Sequence, residues 1–103
     1  MNTKPASRDQ MLYGVVDEVL HYVWDPIGIS RIPQARDEYH AYLPQVFALL
    51  IGNADEEGIA SYLHETATGR MGLPADLQRE GNVARVLMEW RRVVNEKFSG
   101  PSS

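Results

Sequence analysis

The chain has 103 residues, 44% of them hydrophobic, a formal net charge of −4 and no cysteine. That length suits one core rather than two, since domains typically run about 100–150 residues. The lack of cysteine excludes a disulfide framework, a thiol nucleophile and Cys-ligated zinc, and the longest apolar run, Val46–Ile51, is too short to span a membrane.

Residues 1–10 show no apolar stretch behind a basic start, so no secretory signal is expected and the chain is placed in the cytoplasm. Both halves are mildly acidic and no basic stripe is present, so no nucleic-acid partner is expected. The acidity is concentrated in residues 53–78, where Arg70 alone faces Asp55, Glu56, Glu57, Glu65 and Asp76. The polar ends, 1–6 and 99–103, are expected to fray. Residues 7–98 are expected to form a single helical domain.

The first helix is predicted over about Arg8–Trp24, with Ser7 as N-cap and Asp9 at the positive end of the dipole. Its apolar residues come in pairs (Met11/Leu12, Val15/Val16, Val19/Leu20, Val23/Trp24), a stripe wide enough for a central helix. Gln10, Asp17, Glu18 and His21 are left for the polar face. Asp25-Pro26 ends the helix, because the residue before proline avoids the α region. The next segment, Asp25–Pro33, carries three isoleucines. Ile27, Ile29 and Ile32 are therefore expected to fold back onto the core as an ordered loop.

A second helix is predicted over about Ala35–Ile51, with Gly52 as its stop. Pro44 lies inside it, at a cost of about 3 kcal/mol in a helix interior. The apolar face (Tyr39, Tyr42, Leu43, Val46, Phe47, Leu49, Leu50) keeps its phase across Pro44, which favours one kinked helix over two. A third helix follows over about Glu56–Gly69, capped by Asp55, with Ile59, Tyr62, Leu63, Thr66 and Ala67 as its stripe. A fourth starts at Ala75 or Arg79 and runs to Lys97. Val83, Val86, Leu87, Trp90, Val93 and Val94 form its core stripe, with Met88 off it. The expectation is an all-α, compact single-domain bundle of about four helices.

Trp24-Asp25-Pro26-Ile27-Gly28, followed by Asp37-Glu38-Tyr39 and Tyr42, resembles a family of small bacterial helical proteins with a W-D-P-[I/L]-G loop and a D-E-Y-x-x-Y helix start. Leu49-Leu50, Asp55-Glu56-Glu57, Tyr62-Leu63 and Met71-Gly72-Leu73 continue the pattern, so the likeness covers about residues 12–94. His40 departs from it, standing where an acidic residue is common. The resemblance implies a small helical fold and carries no assigned activity. Immunity proteins of similar size supply an analogy only.

No HExxH, GxSxG or comparable motif occurs, and no catalytic residue, metal or cofactor is assigned. Two functions compete. One is a non-enzymatic protein-interaction module, immunity-like or an adaptor, meeting its partner through the acidic residues Asp55, Glu56, Glu57 and Glu65. The other is a small-ligand or metal-binding domain, with a site where Asp25 and Gly28 meet Asp37, Glu38 and His40. Each residue also has a structural role open to it. Asp25 can cap its own turn, Gly28 can supply a positive φ, and Asp37, Glu38 and His40 can serve as the solvated first turns of a helix. His21 and His64 read as surface histidines. Tyr13, Tyr22 and Met88 are candidates for an exposed patch, and pairing of two copies through the fourth helix is compatible with either function.

Overall fold

The computed structural model describes residues 7–29 and 31–98; the two ends expected to fray and Ser30 lie outside these. The described residues are all helical, with no strand. Four α-helices carry the fold: α1 Arg8–Val19, α2 Leu43–Ile51, α3 Glu56–Glu65 and α4 Leu77–Phe98. α4 packs along both α1 and α3, and α2 closes against α1 and α3. One core joins them, built from Leu12, Val16, Val19, Leu20 and Trp24, then Tyr39, Leu43, Val46 and Leu50, then Ile59, Leu63 and Ala67, and finally Val83, Ala84, Leu87 and Val94.

α1 starts as its sequence dictates. The Ser7 hydroxyl accepts from the Gln10 N–H, and the Gln10 side chain accepts from the Ser7 N–H, a reciprocal cap that satisfies two otherwise orphaned donors. The helix reaches Trp24, but Leu20–Trp24 form a π-helical turn, closed by the Asp25 N–H donating to the Leu20 carbonyl. A π turn inserts one residue, which rotates everything after it by roughly 100°. His21, expected on the polar face, is thereby turned into the core at 2% exposure, and Val23 is turned out. Asp25 then adopts φ 34°, ψ 57°, a left-handed stop that Asp tolerates better than most residues.

The loop after α1 is less buried than its isoleucines suggest. Ile29 packs on the core, whereas Ile27 and Ile32 are 43% and 46% exposed. Gly28, at φ +71°, supplies the positive φ expected of it. The kinked second helix is also corrected. Pro33–Ala35 form a 3-10 turn, residues 36–42 follow as i→i+3 turns, and α2 begins at Leu43 with Pro44 in its first two positions. There the missing N–H of Pro44 removes no helical hydrogen bond. The apolar face stays in phase, since Tyr39, Leu43, Val46 and Leu50 are all buried.

α3 is capped as read, the Asp55 carboxylate accepting from the Gly58 N–H at 2.8 Å. It too ends in a π turn, Thr66–Arg70. The Thr68 hydroxyl donates to the His64 carbonyl and the Leu73 N–H to the Ala67 carbonyl, so carbonyls freed by the turn find partners. Gly72, at φ +67°, turns the chain toward α4.

Candidate functional site

Asp25 is the hub of its own loop. One of its carboxylate oxygens accepts from the Ile29 N–H at 2.7 Å and from the Tyr39 hydroxyl at 2.8 Å. The Tyr39 oxygen in turn accepts from the Ile27 N–H at 3.1 Å. Burial pushes the Tyr39 hydroxyl well above its usual pKa, the Ile27 bond opposes this, and the Asp25 carboxylate adds to it, so the phenol remains a neutral donor. Tyr39 also packs against Trp24 and His21, closing an aromatic cluster under the loop. Among the described residues, His21 Nδ1 and Trp24 Nε1 have no hydrogen-bond partner inside it.

The other residues grouped with Asp25 turn elsewhere. Asp37 and Glu38 are exposed on the turns before α2. His40 Nε2 lies 3.1 Å from Asp17 Oδ1 on α1, and the Arg36 guanidinium donates to both oxygens of the same carboxylate. Arg36 also lies over the Tyr22 ring, 5.5 Å from its centre. Partial burial opposes the charge on Asp17, but the hydrogen bond and charge of Arg36, helped by His40, outweigh it and hold the carboxyl below its ordinary pKa. Among the described residues, no three His, Asp or Glu side chains converge as metal ligands. Asp55, Glu56, Glu57 and Glu65 are exposed along α3.

Two other places stand out. The first is a cleft of about 200 Å³ where Pro26 of the loop after α1 and the π-helical end of α3 meet the start of α4. Pro26, Ala67, Leu73, Pro74 and Ala75 give it apolar walls, and Asp76, Arg79 and Glu80 supply its charges. Glu80 is only 2% exposed, and its Oε1 lies 3.0 Å from His64 Nδ1. Glu80 was legible in principle, because it stands seven and fourteen residues before Leu87 and Val94 on one core stripe. A charge in phase with a core stripe is a burial signal.

The second place is an apolar groove between α1 and α4. Trp90, 45% exposed, stands between two adjoining hollows: one between the helices, with Met11, Val15 and Val19 of α1, and one on α4 alone, with Val86 and Val93. Glu18, Arg85 and Glu89 rim them. Trp90 and Val93, expected in the core, are therefore at the surface, while Met88 packs partly against the core. The residues read as one stripe on α4 form two. Val83, Leu87 and Val94 face inward, and Val86, Trp90 and Val93 repeat at i, i+4, i+7 on the next face. A stripe too wide for one neighbour was the available signal.

Among the described residues, no helix is long and apolar enough to cross a membrane. The chain matches no protein-family model, no curated protein and no solved structure.

Proposed function

We propose that this chain is a non-enzymatic, cytoplasmic protein-interaction module whose docking face is the α1–α4 groove, and that the groove receives an amphipathic helix of a protein partner. The observation that carries this reading is Trp90. A large, half-exposed aromatic at the centre of a contiguous apolar surface is the usual anchor of a protein interface. Two near-neighbour helices with an apolar channel between them match the helix-in-groove mode of recognition. The rim alternates in charge, with Arg85 beside Glu89 on α4 and Glu18 on α1, which suits a partner helix of mixed charge. The acidic residues Asp55, Glu56, Glu57 and Glu65 act at longer range, steering a basic partner toward the molecule.

The test uses purified chain and the partner captured by it from its native cells. Trp90→Ala and Val93→Glu are expected to lose the partner, whereas a Glu56→Gln/Glu57→Gln variant keeps it with a slower on-rate. Emission from Trp90 is expected to move to shorter wavelength on binding, with Trp24 already buried. A partner that binds Trp90→Ala as well as wild type overturns the reading. Sedimentation showing a dimer that Trp90→Ala converts to monomer would assign the groove to a second copy instead.

A further inference from the structure

We propose that the cleft between Pro26, the π turn of α3 and the start of α4 is a binding site for a small organic cation, a short alkylammonium or guanidinium group. The site is separate from the α1–α4 groove and does not depend on the role given to Trp90.

The proposal starts from Glu80. Burying a carboxylate costs several kcal/mol unless partners compensate it. This one is 2% exposed and, among the described residues, meets a single side-chain partner, His64. A carboxylate offers about four acceptor sites, so most of its capacity is left over. Glu80 lines the cleft on one side and, with His64, a second hollow on the other, and we place the spare capacity on the cleft side.

The other charges in the cleft are already committed to one another. Arg79 Nε lies 3.5 Å from Asp76 Oδ2, and Asp76 Oδ1 accepts from the Arg79 N–H at 3.0 Å. The Glu80 N–H donates to the Asp76 carbonyl. The α4 N-terminus and its cation are thus spent on Asp76, so an anion would find few donors and two carboxylates. A cation finds the Glu80 carboxylate. The volume of about 200 Å³ accommodates a ligand of roughly half a dozen non-hydrogen atoms, at the ~30 Å³ each water takes in the liquid. The walls of Pro26, Leu73, Pro74 and Ala75 suit the methylenes of such a ligand. Ala67, one of the walls, lies in the π turn of α3, and π turns recur at functional sites.

The test is an NMR titration of the full chain with propylammonium chloride, guanidinium chloride, sodium acetate and potassium chloride. Propylammonium or guanidinium is expected to give saturable shifts at the Ala67, Leu73 and Glu80 amides that potassium chloride does not reproduce. Glu80→Gln and, independently, Ala75→Trp are expected to weaken binding at least tenfold. The first removes the charge. The second fills the mouth and leaves the Glu80–His64 pair in place, so it decides the matter even if Glu80→Gln does not fold. Trp90→Ala is expected to bind the cation as wild type does. Absence of saturation with both cations, saturation by acetate instead, or unaltered binding by Ala75→Trp overturns the proposal.

Discussion

Tyr39 and Asp25, fourteen residues apart, are joined by a 2.8 Å hydrogen bond from the phenol to the carboxylate, and this bond fixes the loop between them. The phenol stands at the centre of a relay, donating to Asp25 and accepting from the Ile27 N–H. Tyr39→Phe keeps the ring and removes the oxygen, so it leaves a loop amide and a carboxylate oxygen each short of a partner. The expected loss is about 1–3 kcal/mol. In a domain of this size that is a fall in Tm of at least ~4 °C, measured by thermal unfolding. An unchanged Tm would show that water replaces the phenol without cost.

Arg91 makes the corresponding link at the other end of the molecule. Its guanidinium donates to the carbonyls of Leu50 and Ala54, both at 3.0 Å, and so ties the α2–α3 connection to α4. These are charge-assisted bonds to the carbonyls at a helix end. Both bonds leave one nitrogen, Nη1, while Nη2 turns to the Met88 sulfur; Arg91→Lys keeps the charge but replaces this fixed planar group with a compact, flexible ammonium. It is expected to destabilise by about 1 kcal/mol, and Arg91→Met by about 2 kcal/mol, as read from the midpoint of urea unfolding. Equal stabilities for Arg91→Lys and wild type would show that one acceptor is enough.

Periodicity and caps made most of the fold legible, and the failures have identifiable physical causes. Ser7, Asp55 and the core stripes of α1 and α3 could be read because each depends on residues within one or two turns. His21 was misread because an inserted π residue rotates the ladder and leaves no mark in the apolar pattern. Pro44 was misread because a string of i→i+3 turns keeps nearly the same apolar phase as an α-helix. The site residues depend on distant partners. Asp25 needs Tyr39, Asp17 needs Arg36 and His40, and Glu80 needs His64. None of these pairings has a sequence spacing that announces it.

Asp17 carries a pH dependence whose sign follows from its neighbours. Its carboxyl is held below the ordinary value of 3.8, with burial opposed and outweighed by Arg36 and then His40. A group whose pKa falls on folding contributes stability that is complete above its unfolded pKa. That contribution is lost as pH falls through the folded pKa. The wild type is therefore expected to shed this increment below about pH 4. Asp17→Asn is expected to be less stable than wild type at pH 7 and to converge toward it at pH 2–3. Thermal unfolding across that range measures the difference, and parallel curves would remove Asp17 from the acid response.

The two tryptophans give the sharpest contrast in the molecule. Trp24 is 1% exposed and packs against Tyr39 and Tyr42, whereas Trp90 is 45% exposed on the groove. Trp24→Ala opens a cavity in the core and is expected to cost about 3–5 kcal/mol, enough to unfold a marginal domain. Trp90→Ala removes a side chain that is already half in water. It is expected to cost no more than about 1 kcal/mol. Acrylamide is expected to quench Trp90 strongly in the folded protein and Trp24 weakly, which single-tryptophan variants (Trp24→Phe and Trp90→Phe) resolve. A residue that contributes little to stability yet exposes a large aromatic surface is one whose apolar area is available to a partner. A large loss of stability in Trp90→Ala would place Trp90 among the structural residues, and would remove the main support for a docking face between α1 and α4.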